Sequence, residues 1–138
     1  GGVNPVYKFS FSDDSRTTLS ATLSSSRSAV AGFANSGTAG YAAGGRTSGF
    51  VTTVDKFAFS DDSVSTLGTG LTAGKYAAAG FANTGTAGYA AGGDLSGYVR
   101  STTVDTFAFP SDTRSALATG LSVAVRFGAA AANELSIP

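Results

Sequence analysis

Short runs of apolar residues, each ended by turn-forming residues, follow one another along the whole chain. The run TVDKFAF at Thr53–Phe59 alternates, so that Asp55, Phe57 and Phe59 share one face of an extended strand. No run has the 3.6-residue period of an amphipathic helix, and glycine is too frequent for stable helices. The pattern predicts an all-β fold of short antiparallel strands.

Four such strands are predicted in each stretch of about fifty residues. The first is predicted at Ser26–Asn35 and again at Gly74–Asn83. A tight turn, NSGT or NTGT, follows it, because Asn and Gly accept the positive φ of hairpin turns. The second strand is AGYAA, the third is TVDKFAF or TVDTFAF, and the fourth is VSTLGT or RSALAT.

The same short sequence segments recur along the chain at a nearly fixed spacing. The nine residues GTAGYAAGG occupy Gly37–Gly45 and, unchanged, Gly85–Gly93, which is 48 residues later. The third-strand words lie 50 residues apart, because the second loop has two more residues. Periods of this length are typical of solenoids, propellers and other repeat arrays. The chain is therefore interpreted as a single repeat domain of 138 residues, with units at roughly residues 1–43, 44–91 and 92–138 and incomplete units at both termini.

Side-chain size increases along the strand order of each unit. The first two strands are mostly Ala and Gly, whereas the third carries Phe57 and Phe59, or Phe107 and Phe109. In a β-propeller, four-stranded sheets stand radially around an axis and crowd together near it. Small side chains on the inner strands and large side chains on the outer strands suit that geometry. This requirement explains why the segment GTAGYAAGG occurs twice.

The residues also resemble a known propeller repeat, the kelch repeat. In that repeat an apolar strand ends in two glycines, a Val-acidic-x-aromatic strand follows, and a basic residue precedes the next inner strand. The matching positions are Gly44, Gly45, Gly92, Gly93, Asp55, Asp105, Phe57, Phe107, Arg27, Lys75 and Arg126. Leu19, Leu67 and Leu117 stand where the kelch repeat has Trp. The resemblance implies blades of four antiparallel strands, as in kelch-like repeats of bacterial surface and phage fibre proteins.

About three blade equivalents cannot close a ring, since known propellers have roughly four to eight blades. The first predicted strand of the chain, Val6–Phe11, corresponds to the third strand of a unit. The last predicted strand, Val125–Asn133, corresponds to the first strand of a unit. These complementary ends predict that another copy completes the ring in trans, as a homo-oligomer, by domain swapping or by head-to-tail polymerisation. The alternative is that the residues are a fragment of a longer repeat protein.

Composition excludes several classes of function. The net charge is zero, which disfavours nucleic acid and anionic membranes as partners. Neither Cys nor His is present, so disulfides, thiolate metal sites and the usual general base are absent. No apolar run is long enough to insert into a membrane, and a charge-poor, Ser/Thr/Gly/Ala-rich chain suits an extracellular, cell-surface or virion-surface protein. We predict no enzyme activity, no metal and no cofactor.

The acidic residues have two interpretations each. Asp13-Asp14, Asp61-Asp62 and Asp112 lie in predicted turns, where calcium binding is possible but ordinary Ser-Asp turn chemistry is favoured. Asp55 and Asp105 lie on third strands and are predicted to hold hydrogen bonds between blades rather than a ligand. The basic residues Arg27, Lys75 and Arg126 could form a positively charged ring at one mouth of the channel, but packing or pairing with neighbouring carbonyl groups is favoured.

The loops after the diglycines differ between units and offer candidate contacts. Arg46, Phe50, Asp94 and Tyr98 are the candidates, with Phe50 and Tyr98 both following Ser-Gly. Variable loops on a repeated scaffold are where binding specificity usually lies. The predicted function is a structural, self-assembling extracellular protein that stacks into a filament or surface layer. The alternative is an adhesin or lectin-like module whose loops bind glycans.

Overall fold

The computed structural model describes residues 4–129, and these residues form an all-β fold of four antiparallel sheets. The strands, in chain order, are β1 (Tyr7–Phe9), β2 (Arg16–Thr18), β3 (Ala31–Asn35), β4 (Ala39–Ala43), β5 (Val54–Ala58), β6 (Val64–Thr66), β7 (Ala79–Asn83), β8 (Ala87–Ala91), β9 (Asp94–Leu95), β10 (Val99–Arg100), β11 (Val104–Ala108) and β12 (Thr113–Ala116). One short 3-10 turn, Ser96–Tyr98, lies between β9 and β10. No helix in this part of the chain is long and apolar enough to cross a membrane.

Two sheets have the four-strand organisation that the repeat predicts. The first sheet has the order β3-β4-β5-β6 and the second has the order β7-β8-β11-β12, all antiparallel. The N-terminal hairpin, β1 and β2, forms a two-stranded sheet, and β9 and β10 form another. The all-β prediction is therefore confirmed. Residues 4–129 contain two complete four-strand units and the outer strand pair of a third, and they do not form a closed ring.

The first strand of each unit is shorter than the prediction. Strand β3 begins at Ala31 and β7 at Ala79, although the pattern predicted strands from Ser26 and Gly74. The cause is Ala29, with φ of 53°, and its counterpart Ala77, with φ of 56°, which interrupt the extended backbone. The predicted strand at the C-terminus, Val125–Asn133, lies outside the described residues beyond residue 129, and residues 125–129 are not in a strand.

The first and second sheets stack through their inner strands, where small residues allow very close approach. A Cβ placed on Gly80 would lie 2.1 Å from the backbone oxygen of Gly32. At Gly88 it would lie 2.1 Å from the ring of Phe33. Because neither contact is sterically possible, only glycine fits these positions at this sheet spacing. The inner strands AGFAN and AGYAA thus form the packing surface between the two sheets.

The larger side chains fill the space farther from the Gly–Gly contact. The Phe33 ring stacks on Phe107 with centroids 5.6 Å apart, and Tyr41 stacks on Phe109 at 5.5 Å. Phe107 is fully buried, and Phe33 and Tyr41 are nearly so. Phe107 and Phe109 follow the predicted gradient in side-chain size, whereas Phe33 and Tyr41 are large side chains on the inner strands β3 and β4.

The diglycine joins consecutive units. Gly44 and Gly45 both have positive φ, 67° and 98°. The Gly45 amide donates a hydrogen bond to the carbonyl oxygen of Lys75 at 2.7 Å, and a Cβ on Gly44 would lie 2.7 Å from that same oxygen. Any side chain there would displace the following unit, which explains why both glycines recur.

Candidate functional site

Each four-stranded sheet contains one buried ion pair. Arg27 lies 2.9 Å from Asp55 in the first sheet, and Lys75 lies 2.9 Å from Asp105 in the second, with all four side chains fully buried. Each acidic residue is on the third strand, and each basic residue is on the segment that precedes the inner strands. The pairs therefore fix that segment to its own four-stranded sheet. The prediction that Asp55 and Asp105 form bonds between neighbouring sheets is wrong.

Further hydrogen bonds complete the surroundings of these carboxylates. Asp55 accepts bonds from the Ser24 amide at 2.9 Å and from the Thr66 hydroxyl at 2.8 Å. Asp105 accepts bonds from the amide and the hydroxyl of Thr72. Such bonds offset the cost of removing the carboxylates from water. The role that these residues play is structural.

The surroundings of Asp55 also set its proton affinity. Burial acts to raise the pKa of this carboxyl, but the Ser24 amide, the hydroxyls of Thr66 and Ser24, and the Arg27 guanidinium outweigh it and lower the pKa below its usual value. Hydrogen bonds from Ser10 and then from Ser15 lower the pKa of the exposed Asp13, and hydrogen bonds from Ser63 lower the pKa of the exposed Asp61.

These lowered pKa values predict acid sensitivity. A carboxyl whose pKa is lower in the folded state than in the unfolded chain stabilises the fold above the unfolded value of about 3.9, and this contribution is lost as the pH falls through the folded pKa. We expect the urea midpoint to be constant from pH 7 to about pH 5 and to fall below about pH 4. Asp55→Asn should flatten this slope when urea titrations are repeated at each pH, and an unchanged slope would contradict the assignment.

Arg126 does not repeat the arrangement of Arg27 and Lys75. The Gly93 amide donates to the carbonyl oxygen of Val125 at 2.8 Å, just as Gly45 donates to Lys75. Val125 thus takes the structural place of Lys75, and Arg126 takes that of Tyr76. The structural repeat at this point has a spacing of 50 residues, as from Thr53 to Thr103, whereas Arg126 follows Lys75 by 51. Arg126 instead pairs with Asp94 at 3.0 Å.

Asp94 is not an exposed loop contact. It is fully buried, its Oδ2 atom accepts the bond from Arg126, and its Oδ1 atom has no hydrogen-bond partner among the described residues. The expectation that Asp94 offers a surface contact is therefore wrong, because β9 pairs it into the small β9–β10 sheet and bridges it to Tyr76.

The other three loop candidates do lie together. The Phe50 ring makes an edge contact with Tyr98, at 5.2 Å, and stacks on Tyr76, at 5.4 Å. The guanidinium of Arg46 lies over the Tyr98 ring at 5.9 Å. Together with the two Ser-Gly turns, Arg46, Phe50 and Tyr98 line a shallow hollow of about 170 Å³. Packing across units accounts for the position of Phe50.

The acidic turns have ordinary turn geometry. Asp13 accepts bonds from the amide and the hydroxyl of Ser15, and Asp61 accepts one from the Ser63 amide. Within residues 4–129, no three potential metal-ligating side chains come close enough to hold an ion. The hydrogen bonds of Asp13 and Asp61 are those expected for aspartates in turns.

In two of these turns the aspartate at the second position, Asp62 or Asp112, makes a contact that the sequence did not suggest. Lys56 of the first sheet pairs with Asp112 of the second sheet at 2.5 Å, and the Tyr41 hydroxyl donates to the other oxygen of Asp112 at 2.7 Å. Burial, and then the contact with Asp112, raise the pKa of the Tyr41 hydroxyl above its usual value, so Tyr41 acts as a hydrogen-bond donor here. We call this group the Tyr-Lys-Asp cluster.

The lysine and the aspartate of this cluster have counterparts one unit earlier in the chain. Lys8 of the N-terminal hairpin pairs with Asp62 of the first sheet at 2.8 Å. Lys8 precedes Lys56 by 48 residues, and Asp62 precedes Asp112 by 50. Repeat spacing alone could have suggested this pairing, since both lysines and both aspartates recur with the unit. The tyrosine has no counterpart at this position among the described residues.

An exposed apolar surface of the first sheet lies next to this incomplete cluster. Phe59 is 43% exposed, whereas its counterpart Phe109 is 8% exposed, and Phe57 is half-buried where Phe107 is fully buried. We call the surface formed by Gly32, Gly40, Phe57 and Phe59 the uncovered face. It forms one wall of a groove of about 670 Å³, and the N-terminal hairpin forms the other wall.

Comparison with known protein families and with curated proteins finds no match to this chain.

Proposed function

We propose that this chain is a non-enzymatic structural protein that assembles with copies of itself. The observation that supports this most strongly is the difference between two equivalent surfaces. Phe107 and Phe109 of the second sheet are covered by the first sheet, whereas Phe57 and Phe59 are left open to solvent. Contiguous apolar patches on a folded domain mark interaction sites more often than not.

The opposite end of the chain carries the complementary surface. Phe81 and Tyr89 stack on each other at 4.8 Å, as Phe33 and Tyr41 do at 5.0 Å. Phe33 and Tyr41 cover the second sheet, but Phe81 and Tyr89 are only half-buried. A neighbouring copy could place these two rings against the part of the uncovered face that the N-terminal hairpin leaves open. Such a head-to-tail contact closes into a ring or grows into a filament, depending on the rotation between copies.

The finer parts of the proposal follow from the sequence. We propose that the repeats are kelch-like blades, that copies complete one another's propeller in trans, and that the assembly forms a filament or layer at a cell or virion surface. The strand order of the two complete sheets and the small inner strands support blades. Glycan binding by the loops is less favoured, because Phe50 is already packed between Tyr76 and Tyr98.

Sedimentation of purified chain tests this function. We expect species larger than the 13.6 kDa monomer, with a population that grows with concentration. Phe59→Ser should weaken self-association by about tenfold or more, since a buried Phe side chain contributes about 1.5–3 kcal/mol. Tyr98→Ser is the matched control, because Tyr98 is similarly exposed but lies on the loop side. A monomer at all concentrations would overturn the proposal, and a loss of association with Tyr98→Ser alone would move the interface to the loops.

A further inference from the structure

The groove also presents an open β-strand edge. In the first sheet β5 pairs with β4 on one side and β6 on the other, and β11 is flanked in the same way in the second sheet. Strand β1 is their counterpart in the N-terminal hairpin, but it pairs only with β2 among the described residues. Its other edge faces the groove. Unpaired strand edges are sites where an extended segment can add by backbone hydrogen bonds.

The two complete sheets specify what such a segment should contain. Opposite β5, strand β4 places Gly40 beside Phe57 and Tyr41 beside Lys56. Opposite β11, strand β8 places Gly88 beside Phe107 in the same register. Transferred to β1, this register puts a glycine opposite Phe9 and a tyrosine opposite Lys8. The sequence that satisfies both positions is the AGYAA strand of this repeat.

The incomplete ion cluster specifies the same residue independently. Lys8 and Asp62 already form a pair, as Lys56 and Asp112 do. In the complete cluster, the tyrosine on the strand beside the lysine donates its hydroxyl to the aspartate. A tyrosine opposite Lys8 would be placed to reach Asp62, which is part of the groove wall. The open edge of β1 and the half-formed cluster thus both require a tyrosine at the same position, opposite Lys8.

The uncovered face indicates the sequence of a second strand, which would lie beside the AGYAA strand in the groove. Its counterpart on the second sheet, Gly88 and Phe107, is covered by the Phe33 ring of β3. A strand with the sequence AGFAN would bring an equivalent phenylalanine over Gly40 and Phe57. The N-terminal hairpin leaves space for two inner strands and already occupies the place of the outer pair.

We infer that the groove is a docking site for a β-hairpin of the repeat's own inner-strand sequence, AGFAN and AGYAA joined by a tight turn, presented by a partner polypeptide. The described residues contain three outer strand pairs but only two inner pairs, so the occupant has to come from outside them. The inference concerns the groove used in the proposed assembly, but it needs no second copy of the whole chain. Specificity comes from backbone pairing to β1 and from the tyrosine that completes the cluster.

A synthetic peptide with the sequence of Val30–Gly45, labelled with a fluorophore, tests the inference against the full chain. We expect saturable binding by fluorescence anisotropy and amide shifts of Lys8 and Phe9 in NMR spectra. A peptide in which the tyrosine is replaced by phenylalanine should bind about tenfold more weakly, because a hydrogen bond to a charged group is lost. On an Asp62→Ala chain, which has no acceptor at this position, the two peptides should bind alike.

The chain variant Gly32→Ala is the decisive one. A Cβ on Gly32 meets nothing closer than 4.0 Å in the present structure, so the fold should be unaffected. In the docked state it would meet the backbone of the incoming strand, as a Cβ on Gly80 meets Gly32. Binding should therefore be lost although the circular dichroism spectrum is unchanged. Equal peptide binding by the variant and the original chain would overturn the inference, as would no binding at all.

The same experiment separates this inference from the proposed function. A chain that is monomeric but binds the peptide retains the docking site and refutes self-assembly. A chain that self-associates but neither binds the peptide nor dissociates in its presence refutes the docking site and retains the assembly.

Discussion

Asp105→Ala is expected to lower the free energy of unfolding by about 3–5 kcal/mol, because it leaves the ammonium group of Lys75 buried without its partner. The two side chains are 2.9 Å apart and have no exposed surface. Domains of this size are stable by only about 5–15 kcal/mol, so the variant should be partly unfolded at 37 °C. Urea titration followed by circular dichroism measures the loss.

Two controls separate a buried charge from general damage. Asp62→Ala removes the partner of Lys8 in an exposed pair and should cost less than about 1 kcal/mol. Adding Lys75→Met to Asp105→Ala removes the unpaired charge and should recover much of the stability. If the single and double variants have the same urea midpoint, Lys75 is not buried as described.

Gly80→Ala is expected to destabilise the chain by about 3 kcal/mol, at the upper end of the usual cost of overpacking a tight interior. The added methyl carbon would lie 2.1 Å from the backbone oxygen of Gly32, and a backbone atom cannot move aside as a flexible side chain can. The first and second sheets would have to separate. The urea midpoint and the near-ultraviolet signal of the stacked aromatic residues measure the effect.

The chain contains its own control for this substitution. Gly32 has the same place in the preceding unit, but a Cβ there has its nearest contact at 4.0 Å. Gly32→Ala should therefore leave stability unchanged or raise it by a few tenths to 1 kcal/mol, through the lower entropy of the unfolded chain. Equal destabilisation by both variants would show that the two sheets do not stack in the way described.

Local patterns were sufficient to predict the strands and turns. Alternation in TVDKFAF and the Asn-Gly turns correctly predicted the strand order of each four-strand unit, and the Ala and Gly of AGYAA correctly predicted close packing between sheets. These features depend on residues that are near in sequence or repeat at the same spacing. The left-handed conformation of Ala29 could not be predicted, since alanine rarely adopts it and the surrounding unit imposes it.

Contacts between units were harder to predict. The basic residue Arg126 matches Arg27 and Lys75 in type, but it lies one position beyond the 50-residue repeat, so that Val125 follows the backbone path of Lys75. The pairing of Lys8 with Asp62 joins residues 54 apart in sequence, and no local pattern marks it. Whether a candidate residue is buried or exposed, as for Asp94, depends on such non-local contacts.

The loop after Gly92-Gly93 is two residues longer than the loop after Gly44-Gly45, and yet Val104 pairs with Ala91 as Val54 pairs with Ala43. A short hydrogen bond closes the base of each loop, from Gly44 to Thr53 at 2.8 Å and from Gly92 to Thr103 at 3.0 Å. At the tip of the first loop, Ser48 and Gly49 are exposed, and a Cβ on Gly49 would meet nothing within 4 Å. A foreign peptide grafted at residues 48–49 should accordingly be displayed without disturbing the scaffold, and the segment is free to diversify while the strands stay constant.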